Sequence, residues 1–142
     1  MFDSIYITQL LVLDQEEALE FYVGKLGLEV KTDMDLGFMR WLTVTVPGQP
    51  DREILFEVPG APAMDEATAE QARELVTKGA AGGWIGFTTS DIRKTFEKLV
   101  AAGVEVTQEP IERFYGIDCG VRDPFGNAIR ILQPAVPAGE EA

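Results

Sequence analysis

The sequence predicts an α+β fold: two βαβββ modules forming a cupped eight-stranded mixed sheet around a central cleft. Three observations carry this expectation. "LGLEVKTD" (26–33) and "AGVEVTQE" (102–109) repeat one another in the letters, and each follows a helical pattern. Around both copies the hydrophobic periodicity runs strand, helix, strand, strand, strand, and such an internal repeat governs the fold of the whole chain. The 142 residues, 46% of them hydrophobic, suit a single domain made of two small modules sharing a core.

The first module spans 4–58. "SIYITQLLVL" (4–13) is β-branched and apolar and reads as a buried strand. Asp14 offers an N-cap, with Glu16 and Glu17 in the first turn, where the helix dipole favours negative charge. The helix that follows places Ala18, Leu19, Tyr22 and Leu26 on one face and stops at Gly27. Strands are expected over 28–33, 38–46 and 53–58, with "PGQPD" (47–51) as a loop between the last two. A connector, 59–82, contains a helix over 65–78 capped by Asp65 and ended by Gly79.

The second module, 83–133, repeats the order. "GWIGFTT" (83–89) is a strand, and Ser90 or Asp91 caps a helix burying Ile92, Phe96, Leu99 and Val100 before Gly103. Strands follow at 104–109, at "RFYGIDCGV" (113–121) and at "NAIRILQ" (127–133), and the tail 134–142 has no core pattern and is expected to fray. Arg130 lies inside the apolar run of the last strand, where a charge is costly unless paired or turned into a polar site.

Composition narrows the function. No apolar run approaches the ~18–20 residues that span a bilayer, and no leader peptide is expected, so a membrane role is not predicted. The single cysteine, Cys119, excludes an internal disulfide and fits a reducing cytoplasm. Within a strand and without histidine nearby, it reads as a small buried hydrophobe. A net charge of −12 argues against nucleic acid and is compatible with a cationic ligand, although a solubilising acidic surface is the simpler explanation. The chain has no histidine, the commonest metal ligand and usual general base, so Ser-His-Asp and Cys-His mechanisms are excluded. "GKLG" and "GAAGG" lack the context of a phosphate loop.

"DQEEALEFYVGKLGLEV" together with "DPFGNAIRILQ" resembles the vicinal oxygen chelate superfamily, which includes glyoxalase I, extradiol dioxygenases and bleomycin-resistance proteins. The resemblance covers 4–133 and implies paired modules around a central pocket. It also implies four metal-ligand positions, two per module. At these stand Ile7 (with Gln9 two residues on, facing the same side), Glu57, Trp84 and Arg130. Only Glu57 matches, so the resemblance supports the fold and counts against metal chemistry: no metal and no cofactor are expected. It further implies that Glu57 and Arg130 point into one cavity, where Arg130 would neutralise Glu57 in place of an ion.

Strand alternation adds Trp41 and Thr43 on the third strand, and Phe114 and Tyr115 before Gly116 on the seventh. Each aromatic alone reads as core packing. With Gln9, Glu57, Trp84 and Arg130 they form a candidate ligand-binding set around one cup. The function expected first is a metal-independent binding protein that sequesters or carries a small aromatic or cationic compound. By analogy of fold it is a homodimer. One alternative is a metal-independent lyase or isomerase with Glu57 as base and Arg130 as oxyanion stabiliser. A weaker one is a divalent-metal enzyme using Gln9 and Glu57.

Overall fold

In the computed structural model, residues 1–82 and 84–136 are described. The chain divides into two compact units, Met1–Ala81 and Gly82–Ala142. Each contains one four-stranded mixed sheet, so the chain is α+β, with eight strands among the described residues.

In the first unit β1 (Ile7–Leu11) lies at the sheet edge, parallel to β4 (Gln49–Glu57). The order continues through β3 (Arg40–Val46) to β2 (Glu29–Asp35), both antiparallel to their neighbours. Asp14 caps α1 (Gln15–Leu19) by accepting from the Glu17 amide at 2.9 Å. The helix continues as a π-helical segment, Glu20–Lys25. Phe21 and Tyr22, three and four residues after buried Ala18, lie on one helical face and are both buried. The Tyr22 ring lies 4.9 Å from those of both Phe21 and Phe56, and Leu42 and Val44 are fully buried as well.

Three expectations for this unit need correction. The first strand is shorter than 4–13, and Ile5 and Tyr6 are exposed, because an edge strand has one partner rather than two. "PGQPD" is not a loop: Pro47 and Gly48 form a two-residue turn and β4 begins at Gln49. Leu19 and Leu26 are only half-buried. The connector helix is observed as α2 (Glu66–Thr77), with Asp65 accepting from the Thr68 amide at 2.8 Å and Ala69 and Val76 buried.

The second unit repeats the topology: β5 (Ile85–Thr88), β8 (Ala128–Pro134), β7 (Gly116–Arg122), β6 (Glu105–Arg113), with only β5 and β8 parallel. Asp91 caps α3 (Ile92–Ala101), which packs on β6, β7 and β8. Ile92 and Leu99 are buried and Phe96 half-buried, whereas Val100 is exposed at the margin of that stripe. Ala128–Pro134 is a regular strand through Pro134 and the Ala135 amide donates to the Tyr115 carbonyl at 3.0 Å, so the tail does not fray from 134. Residues 137–142 lie outside the described residues.

The "DPFGN" turn is built on one buried carboxylate. Asp123 Oδ1 accepts from the amides of Phe125 (3.0 Å), Gly126 (2.9 Å) and Asn127 (2.8 Å), and Oδ2 accepts from Asn127 Nδ2 at 2.9 Å. This fixes the point at which the chain enters β8, and with it which face each β8 side chain takes.

Candidate functional site

Alternation along β8 resolves the charge in the apolar run. Ile129 and Ile131 point to the α3 side and are buried, whereas Arg130 and Leu132 take the opposite face. Arg130 is in register with Gly86 on β5 and Gly120 on β7, and Leu132 with Thr88 and Asp118. Gly86, Thr88, Asp118, Arg130 and Leu132, with Trp84 and Tyr115, line an open cleft of about 490 Å³ on the second unit's sheet.

Arg130 is paired within this face. Its Nη2 lies 3.0 Å from Asp118 Oδ2 and donates to Gln108 Oε1 at 3.2 Å. Gln108 Nε2 donates to Asp118 Oδ1 at 2.9 Å, and the Tyr115 hydroxyl donates to Oδ2 at 2.9 Å. Gln108 reaches Asp118 from β6, where the register shifts around it. Burial pushes the Asp118 carboxyl up, but the donors Gln108, Tyr115 and Arg130 and the guanidinium charge together outweigh it, leaving Asp118 below the usual range. The bond to Asp118, with desolvation second, holds the Tyr115 hydroxyl above its ordinary value. Asp118 is thus a satisfied anion rather than a free base.

The expected partner of Arg130 is Glu57; the observed partner is Asp118. Asp118, like Arg130, is a lone charge within an apolar strand, but the side chain it meets is set by register. Phe114 and Tyr115 are not strand residues either. They form the turn between β6 and β7, because Gly116 takes a positive φ of 143° and restarts the ladder only there. Tyr115 still lines the cleft, but Phe114 is 96% exposed, with its ring 5.1 Å from that of Tyr115. Trp84 lines the cleft with 64% of its surface open. Cys119, on the α3 side of β7, is buried, and desolvation raises its thiol.

In the first unit Gln9 Nε2 donates to Glu57 Oε2 at 3.2 Å, so these two candidates do meet. Thr43 is buried and donates to Glu53 Oε1 at 2.8 Å, with Lys31 Nζ 3.7 Å from Glu53 Oε2. Trp41, two residues before Thr43 on β3, is half-buried on the same side. A divalent metal does not fit the implied ligand positions: Ile7 and Trp84 offer no donor, Gln9 turns its N–H toward Glu57, and Arg130 is a cation. Among the described residues no group of three or more Cys, Asp or Glu gathers to hold an ion.

The family model described as Glyoxalase/Bleomycin resistance protein/Dioxygenase superfamily matches residues 4–131. The chain belongs to this superfamily. Among solved structures of this superfamily's fold, it is similar to UcmS2 (37% identity, TM-score 0.87, covering 93% of this chain and 98% of that one). It also resembles TnmS3, described as an antibiotic binding protein from Streptomyces sp. CB03234 (26% identity, TM-score 0.74, 94% and 98% covered). A sequence relative is YurT, an uncharacterized protein of Bacillus subtilis (strain 168), 34% identical over 131 residues, 92% of this chain and 98% of that one. No helix among the described residues is long and apolar enough to cross a membrane.

Proposed function

We propose that this member of the glyoxalase/bleomycin resistance superfamily is a metal-independent binding protein that sequesters or carries a small aromatic compound. One observation carries the reading: in the middle of the cleft face stands Arg130, held by Asp118 and Gln108, at the position where the family resemblance puts its last metal ligand. A guanidinium there repels a divalent ion and offers N–H donors instead. Trp84 and Tyr115 beside it supply aromatic surface, and the likeness to TnmS3, an antibiotic binding protein, supports a small-molecule-binding role. The protein is further proposed to be cytoplasmic and to work as a homodimer.

Two measurements test the reading. Metal analysis of protein purified without chelator is expected to find less than about a tenth of an equivalent per chain, given the donor set. A near-stoichiometric transition metal overturns it. In a thermal-shift screen of hydrophobic drugs, glycopeptide antibiotics and small acids, at least one polycyclic aromatic compound is expected to raise the Tm. A ligand at 100 times its Kd adds about 2.7 kcal/mol to the folded state. No shift with any compound overturns the binding role, and light scattering on the same sample gives the oligomeric state.

A further inference from the structure

Resting on the binding reading above, we propose that the two glycines flanking Arg130 decide what the cleft takes: a flat aromatic ligand bearing a carboxylate or carbonyl oxygen, and not a cation. Gly86 and Gly120 are the register partners of Arg130 on either side, and both places are filled by neighbours. A Cβ on Gly86 would come 3.2 Å from Trp84 Cζ3, so the indole lies across that bare backbone. A Cβ on Gly120 would fall 2.7 Å from Arg130 Nη1 and 2.6 Å from Thr107 Oγ1, so the guanidinium leans onto β7 only because position 120 has no side chain. Gly86 and Gly120 are two strand spacings apart, roughly 10 Å. The cleft that the indole and the guanidinium line, about 490 Å³, can take one aromatic ring system.

The donors and acceptors of the network set the sign. Asp118 Oδ1 already accepts from Gln108, and Oδ2 from Tyr115 and Arg130, so the one carboxylate lining the cleft is fully engaged. Arg130 bonds through Nη2, and its Nε and Nη1 have no hydrogen-bond partner among the described residues, while its side chain keeps 33% exposure. Unused donors beside a satisfied acid select an oxygen acceptor at the ligand's edge. The net charge of −12, which raised the expectation of a cationic compound, belongs to the surface as a whole and is screened beyond about 8 Å at physiological salt.

The test compares 2-naphthoate with 2-naphthylmethylammonium by isothermal titration calorimetry in ~0.15 M salt. Naphthoate is expected to bind the unmodified protein at least tenfold more tightly. Gly120→Ala keeps every charge but displaces the guanidinium, and should cut that preference below threefold without changing the far-UV spectrum. Arg130→Gln should abolish it. Equal or reversed preference, absence of saturable naphthoate binding, or a Gly120→Ala variant that keeps the full preference each overturns the proposal. The drug-panel thermal shift decides the underlying binding reading separately.

Discussion

Asp123→Ala is expected to destabilise the second unit by about 3–5 kcal/mol, read as a shift of its urea midpoint with unchanged slope. Asp123 is buried and its carboxylate accepts three backbone amides and one side-chain amide, all within 3.0 Å. A hydrogen bond to a charged group contributes ~1.5–3 kcal/mol, and donors left unsatisfied in the interior add their own desolvation cost. The bonds share one acceptor group, so their losses do not sum, and the expected range stays below four times the single value. Asp123→Asn should cost about half as much: it keeps an oxygen for the amides but sets its own NH2 against Asn127 Nδ2. A midpoint within about 1 kcal/mol of the parent for Asp123→Ala would mean that the turn is held by something other than this carboxylate.

Arg130→Glu is expected to reverse the way stability responds to pH. In the parent, Asp118 titrates below its ordinary value, so its contribution is complete above about pH 4 and is lost as pH falls through the folded pKa. In the variant, two carboxyls meet where Arg130 Nη2 now lies 3.0 Å from Asp118 Oδ2. Each raises the pKa of the other, so the pair is tolerated while it holds a proton and becomes unfavourable as pH rises through the raised value. At pH 7 the loss should be about 2–3 kcal/mol, less than for a fully buried pair because the arginine side chain is a third exposed. Urea midpoints between pH 3 and 8 test this. Relative to the parent, the variant should gain stability from pH 7 toward about 5, where the Asp118 contribution in the parent is constant. Parallel profiles would show that Arg130 and Asp118 are not coupled.

The fold was legible because its signals are local and repeated. Asp14, Asp65 and Asp91 each cap a helix as their spacing indicates, and the Leu-Gly and Ala-Gly helix ends announce the strands that follow. The candidate site was legible only in part. Arg130, Trp84 and Tyr115 were reached through alternation and through the family resemblance, yet Asp118, Gln108, Gly86 and Gly120 were not. Those four act through register, and register depends on where β6 bulges and where the β6–β7 turn falls. "RFYGIDCGV" reads as one strand because Phe, Tyr and Ile favour strands, and nothing local marks the reversal before Gly116. The π-helical segment escaped for a similar reason. Ala18, Phe21 and Tyr22 already share one face at ordinary helical spacing, so no short window of sequence marks the wider turn.

Asp118 and Cys119 are successive residues on opposite faces of β7, one toward the cleft and one toward α3. The chain has one cysteine, so the protein carries a single built-in chemical clock. A buried thiol, its pKa raised by desolvation, reacts with a disulfide reagent only when the structure around it opens. Ligand in the cleft never touches that sulfur, yet it stabilises the closed sheet and should slow the labelling rate in proportion to occupancy. Timing the modification of Cys119 against added compound would therefore reveal binding by any molecule that fills the cleft, with neither a tag nor a dye attached.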